Sequence, residues 1–284
     1  MKTLDCVILA YEGPILRAYL SVLSALGYRA KAVVKLFNGK RRLRYLPSKM
    51  RHALLFNREA LANNYWPISF SKKRDFKENV CAPILTHYNL SSDFFDLFGK
   101  LSVDYQCIAD DVVYCDCEDK GWKSEKLYEL LKSLGSQTYL FTGGGLVPNA
   151  ILALPSTEFF HVHPGFLPYT RGADGILWST LIRQKPGASC FYMVPQLDEG
   201  HLILAEEYEP LTFRVNGPLD DSTRYRLIYS FYDPAVRALC LKHVLEKYGS
   251  LSHLPTTEQA LDKGITYHFM HERLKAKVLK EIIC

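Results

Sequence analysis

A chain of 284 residues, 48% hydrophobic and 23% charged, has enough apolar material for a large core and excludes a disordered or low-complexity polymer. Its formal charge of +5 is mild: it suits an anionic small-molecule substrate and gives no sign of a nucleic-acid surface. No run of 18 apolar residues exists, the opening Met1-Lys2-Thr3-Leu4-Asp5 does not read as a signal peptide, and the eight cysteines are scattered. Only Cys115-Asp116-Cys117 is close-spaced. The expectation is a cytoplasmic protein with reduced thiols, off the membrane and without a nucleic-acid partner.

Cys6-Val7-Ile8-Leu9-Ala10 is a continuous apolar run of the kind found in a strand buried on both faces of a parallel sheet. Gly13-Pro14 breaks it, Ile15, Leu16, Tyr19, Leu20, Leu23 and Leu26 follow at helical spacing, and Gly27 supplies a stop. Ala30 to Leu36 reads as a second strand. This βαβ opening predicts an α/β fold with a doubly wound, mostly parallel sheet. Residues 38 to 78 interrupt the pattern with Lys40, Arg41, Arg42, Arg44, Lys49, Arg51, Arg58, Lys72, Lys73, Arg74 and Lys77 among Tyr45, Phe56, Tyr65, Trp66 and Phe70. They read as a basic-aromatic insertion, either a solvated helical face or a surface for an anionic ligand.

Ser124 is a candidate N-cap for a helix with Leu127, Leu130, Leu131 and Leu134 on one stripe, ended by Gly135. The strand Thr138 to Phe141 then runs into Thr142-Gly143-Gly144-Gly145-Leu146-Val147-Pro148. A glycine loop at the C-terminal end of a parallel strand is where open α/β sheets bind ligands, although this one has no phosphate-binding fingerprint. Asp220 to Tyr248 reads as one helix, with Tyr225, Ile228, Tyr229, Ala238, Leu241 and Val244 facing inward. The tail from 250 to 284 is mixed, and its Tyr267-His268-Phe269-Met270-His271 fits no single element. His201, His268 and His271 are expected at the surface.

Chemistry-bearing residues concentrate between these segments. Phe159-Phe160-His161-Val162-His163-Pro164-Gly165 is a short strand in which side chains alternate, so His161 and His163 project to the same side. Pro195-Gln196-Leu197-Asp198-Glu199-Gly200 is a turn-rich loop carrying an acid. Two histidines on one strand face plus an acid on a later loop allow proton transfer; the alternatives are a divalent-metal site or a binding module without catalysis.

His163-Pro164, Leu167-Pro168, Arg171-Gly172-Ala173 and Asp198-Glu199-Gly200, preceded by the glycine loop, resemble the folate-dependent formyltransferase family. That family includes glycinamide ribonucleotide, methionyl-tRNA and sugar-nucleotide formyltransferases. The resemblance is specific over roughly 138 to 203. One position departs: the family asparagine before the histidine falls on His161. The resemblance implies a formyltransferase-like Rossmann variant, with a catalytic domain over 1–210, the insertion at about 38–78 and a helical and mixed extension over 211–284. It implies transfer of a formyl group from 10-formyltetrahydrofolate to the amine of a small metabolite, without a metal, and a homodimer is compatible with it. His161, His163 and Asp198 would be catalytic. Gly143, Gly144, Gly145, Leu146, Val147 and Pro195 would hold the carrier, and Tyr169, Arg171 and Asp174 the substrate. The basic insertion favours a nucleotide-linked amino sugar as acceptor, because arginine forks suit a pyrophosphate and aromatic rings suit a base. N-hydroxyornithine comes next, with Asp220, Asp221 and Asp233 as partners for its ammonium.

Overall fold

The apolar run at the start of the chain becomes the second half of β1 (Lys2–Ala10) in the computed structural model, which describes residues 1–38, 63–118 and 120–284. Its side chains divide by the period of two. Cys6, Ile8 and Ala10 enter the larger core cluster, and Val7 and Leu9 enter a smaller one on the opposite face. Both faces are therefore covered, as the run predicts. On the larger side lies α1 (Pro14–Ala25), followed by Gly27 at φ 73° and then β2 (Tyr28–Phe37). The expectations resting on Lys40, Arg41, Arg42, Arg44, Tyr45, Lys49, Arg51, Phe56 and Arg58 lie outside the described residues.

Next come β3 (Ala109–Asp116), α2 (Glu125–Leu134), β4 (Gln137–Phe141) and β5 (Thr157–His163). Ser124 occupies the N-cap position of α2, but its buried hydroxyl makes no capping hydrogen bond. Gly135, at φ 71°, does end that helix. Beyond β5 lie β6 (Thr170–Gly172), α3 (Gly175–Arg183), β7 (Gly187–Tyr192) and β8 (Leu202–Glu207). Among the described residues, seven strands form one sheet in the order β3-β2-β1-β4-β5-β7-β8. Pairing is parallel from β3 through β5 and antiparallel at β5–β7 and β7–β8. The doubly wound, mostly parallel α/β sheet is borne out. The chain builds outward from β1 to β3 and returns on the other side with β4, so the order reverses between β1 and β4. At such a switch point the crevice outside the carboxyl ends of the strands is the expected ligand site.

The segment read as one helix from 220 to 248 has three parts. α4 (Asp221–Leu227) starts at Asp220, whose Oδ1 accepts from the Thr223 amide at 2.6 Å. A wide turn with π-helical bonding spans Ile228–Tyr232, and α5 (Asp233–Tyr248) follows. Pro234 explains the break, since it lacks an amide to donate back and its ring crowds the carbonyl four residues earlier. The anticipated inward residues Ile228, Ala238, Leu241 and Val244 are fully buried.

A boundary at 210 cuts through the larger core, because Val236, Ala238, Cys240, Leu241 and Val244 of α5 share a cluster with β1 and α1. Each buried Val or Leu contributes roughly 1.5–3 kcal/mol. Val236, Leu239, Leu241, Val244 and Leu245 together then rival the entire net stability of a typical domain, about 5–15 kcal/mol. Residues beyond 210 complete the core rather than hang from it. The tail also folds back on the domain: β9 (Ile265–Tyr267) pairs with β6 in a separate two-stranded sheet, and α6 (Glu272–Ile282) packs on α3 and α4.

Candidate active site

Phe160 and Val162 of β5 point into the larger core while Phe159 enters the smaller one, so His161 and His163 share the second face. The structure brings His161, His163 and Asp198 together, with one nitrogen or carboxylate oxygen from each lying within 4.8 Å of the others. The antiparallel neighbour β7 sets Ser189 opposite His163, and Ser189 Oγ holds the following turn by donating to Gly165 O (2.7 Å) and accepting from Leu167 N (2.9 Å).

His163 is buried and doubly oriented. Its Nε2 lies 2.6 Å from the carbonyl of Thr170, which can only accept, so Nε2 carries the hydrogen. Nδ1 then presents its lone pair towards Asp198 Oδ2, 3.5 Å away. Burial lowers the His163 pKa below the usual imidazole range, against the opposing pull of Asp198 and the Thr170 carbonyl, and Arg237 lowers it further. His161 is held well below that range, first by burial and then by Arg237 and His163. Its ring stands edge-on to Phe141 and Phe191, and its Nδ1 has no hydrogen-bond partner among the described residues. Arg237 acts from behind the strand, donating from Nε to the carbonyl of Val162 at 2.9 Å.

Asp198 is buried in the left-handed conformation at φ 57°, a strained position that Asp tolerates better than most residues. Its Oδ2 accepts from the Gly172 amide at 2.8 Å, and its loop is pinned by the Gln259 side-chain amide, which donates to the carbonyls of Asp198 and Gly200. Gly200 is required by contact: a Cβ there would collide with the carbonyl oxygen of Tyr192. This accounts physically for a glycine two residues after the acid.

The glycine loop lies at the switch point. Thr142 joins the two diverging strands, donating to Leu9 O (2.6 Å) and accepting from Tyr11 N (3.1 Å). Trp122 lies across the loop, its Nε1 donating to Gly144 O at 2.9 Å and its ring occupying the space that a Cβ on Gly143 would need. Trp122 packs on Phe141 with ring centroids 4.8 Å apart, and Phe141 in turn meets His161 at 5.2 Å, so loop and histidines form one surface. Gly144, Gly145 and Leu146 are exposed and Val147 is buried, while Pro195 stands exposed on the Asp198 loop.

The three residues assigned from the sequence to the substrate are otherwise engaged. Arg171 is buried, and its guanidinium donates to the carbonyls of Pro168, Leu261 and Gly264 and to the Thr266 hydroxyl. Asp174 is buried, accepting from the hydroxyls of Tyr225 and Tyr229 and from the Met270 amide. Tyr169 stacks on Phe166 beneath the guanidinium of Arg183. Sequence reasoning missed Trp122, Thr170, Ser189, Arg237 and Gln259. Of these only Trp122 carried a local signal, an aromatic beside a glycine just before a helix start. His201, His268 and His271 are exposed as anticipated.

Fold and site together define a Rossmann-like α/β protein with a histidine–aspartate centre beside its switch-point crevice. No family model matches the chain. The methionyl-tRNA formyltransferase of Flavobacterium psychrophilum is 31% identical over 100 residues, 35% of this chain and 32% of that one. That of Alkaliphilus oremlandii is 39% identical over 79 residues, 28% and 26% of the two chains. The matches thus span about a third or less of these relatives' length. Among solved structures, a sugar N-formyltransferase from a Shewanella species aligns over 98% of this chain and 88% of its own, at 10% identity and a TM-score of 0.45. HypX from Aquifex aeolicus in complex with tetrahydrofolic acid aligns over 60% and 29%, at 15% identity and a TM-score of 0.41. The resemblance read from the sequence is borne out: the chain is related to the folate-dependent formyltransferases.

Proposed function

We propose that this chain transfers a formyl group from 10-formyltetrahydrofolate to the amine of a small metabolite, with a nucleotide-linked amino sugar as the acceptor. The observation that carries the reading is the buried His163–Asp198 pair beside His161, at the end of a strand bordering a glycine loop at the switch point. Attack of a neutral amine on a formyl carbon puts negative charge on its oxygen and leaves a proton to remove from nitrogen. With Nε2 committed to Thr170, His163 offers Nδ1 as proton acceptor, Asp198 stabilises the imidazolium that results, and that proton goes to N10 as the formyl carbon–N10 bond breaks and tetrahydrofolate leaves. His161, whose buried Nδ1 has no hydrogen-bond partner among the described residues, would donate to the developing oxyanion.

The donor follows from the family resemblance, with the pterin assigned to the crevice between Gly143–Val147 and the loop containing Pro195. Trp122 joins that assignment as an aromatic wall. The acceptor class is supported by the composition of residues 38–78; of these, Lys72, Lys73 and Lys77 are exposed, and Arg226 lies 4.3 Å over the Trp66 ring. The test is tetrahydrofolate release from 10-formyltetrahydrofolate in the presence of nucleotide-linked amino sugars and, separately, N-hydroxyornithine. Turnover with the sugars is expected. Turnover with hydroxyornithine alone would replace the acceptor, and no release with any amine would overturn formyl transfer.

A further inference from the structure

We infer that His161, His163 and Asp198 form a binding site for a first-row divalent cation, and that its occupancy blocks the chemistry proposed above. The cation site stands on geometry alone; only the block rests on the formyl-transfer reading.

The three donor atoms lie within 4.8 Å of one another, and His163 Nδ1 and Asp198 Oδ2 are 3.5 Å apart. Two ligands at about 2.1 Å from a tetrahedral metal stand roughly 3.4 Å from each other, so this pair already has the bite of a chelate. The hydrogen-bond pattern adds an independent argument. Because Nε2–H of His163 is given to Thr170, a neutral ring turns its Nδ1 lone pair towards a carboxylate. With the ring neutral, two acceptors face each other inside the protein, an arrangement that a proton or a metal ion between them relieves. The Nε2–H to carbonyl bond is also the support that fixes the tautomer of a metal-bound histidine. The Gly172 amide supports Asp198 in the same way at 2.8 Å. His161 completes the set from the adjacent position of the same strand face.

The donor chemistry selects the ion. Two imidazoles and one carboxylate, with positions left open, suit zinc, cobalt, nickel or ferrous iron. Calcium and magnesium require oxygen-rich shells and are disfavoured. An amide at position 161 would offer only a neutral oxygen, a weaker donor for these ions. Any cation here occupies the Nδ1 lone pair and the carboxylate that proton removal needs, so metal loading and formyl transfer exclude one another.

The decisive measurement is titration of the chelator-treated full chain with cobalt(II), read by visible d–d absorption. One cobalt per chain is expected, displaced by zinc. His161→Asn and Asp198→Asn should each weaken binding by at least about tenfold, the scale set by disturbing even the supporting shell of a metal site. Thermal melts without metal establish that each variant is folded; if Asp198→Asn is not, His161→Asn decides, since that ring is half-buried. Absence of binding overturns the inference. So does unchanged binding in the folded variants, or sulfur-to-cobalt charge transfer, which places the ion on exposed thiols such as Cys107 and Cys284. Zinc should abolish tetrahydrofolate release, and chelator should restore it. Turnover that continues with the site saturated refutes the block, whereas cobalt binding without turnover under any condition leaves the site standing and removes the formyl-transfer reading.

Discussion

Arg171 separates two roles that its motif cannot distinguish. The sequence assigns it to the substrate, whereas the structure spends its guanidinium on the chain itself. Replacement by methionine keeps most of the side-chain volume and removes all the donors. The 2.9 Å bond from Nη2 to Gly264 O is worth about 2 kcal/mol as a charged hydrogen bond. The contacts at 3.3–3.4 Å to Leu261, Pro168 and Thr266 add roughly 0.3–0.5 kcal/mol each, by discounting a neutral hydrogen bond for length. The loss totals about 3 kcal/mol, and at roughly 2–4 °C per kcal/mol for a chain of this size the melting temperature should fall by about 6–12 °C. The assay is thermal unfolding by circular dichroism, with hydrogen exchange followed across residues 261–272, where faster exchange is expected. A melting temperature lowered by less than about 2 °C, together with a raised KM for the acceptor, would refute the structural role and restore Arg171 to the substrate.

Asp198→Asn should fold and lose at least about 10²-fold in turnover, the scale of general-base catalysis by His163, whose imidazolium it stabilises; near-wild-type kcat at neutral pH would remove Asp198 from the chemistry. His161→Ala should lose on the order of 10²-fold as a missing oxyanion donor while His161→Asn keeps part of the activity, and equal rates in wild type and the alanine variant would show that position 161 does not act on the substrate. Burial raises the Asp233 pKa to about 6, against the pull of Arg237, so the folded state holds a proton that the unfolded chain, with a carboxyl near 3.9, has already released. Stability should therefore fall as pH rises from about 4 to 6, by at most about 3 kcal/mol from this group. Asp233→Asn should flatten that slope in denaturant melts run across the window, and an unchanged slope would show that Asp233 ionises normally in the fold.

The parts of this protein that could be read from its sequence are those whose cause is local. The run Cys6 to Ala10 specifies a strand covered on both faces because an alternating strand would have left one face polar. Likewise, His161 and His163 had to share a face because the strand period is two, and the structure sets them there with Asp198. Even the break at Pro234 was visible in principle, since a proline deep in a helical pattern needs an irregular turn before it. The helix expectation over 220–248 passed over it because hydrophobic spacing continues across the wide turn.

What stayed hidden was what remote segments do to one another. Arg171 and Asp174 sit in a motif that points to ligand binding, yet apart from the Pro168 carbonyl their partners are 51 to 96 residues further along the chain, which no spacing rule reports. The segment Tyr267–His271 had no readable pattern because it is neither a free helix nor a free strand. Its Tyr267 is stacked on Trp178 with centroids 4.4 Å apart, its Met270 amide is held by Asp174, and its strand exists only by pairing with Thr170–Gly172. That pairing bears on the chemistry. β6 presents the Thr170 carbonyl to His163 Nε2 on one side and the Gly172 amide to Asp198 on the other, so a three-residue strand orients both members of the pair at once. A side chain on Gly172 would collide with the Tyr267 carbonyl and push the two strands apart. The tail thus positions the candidate centre through β6 and through Gln259, which holds the Asp198 loop, and the length of chain between them explains why the sequence showed the centre but not its support.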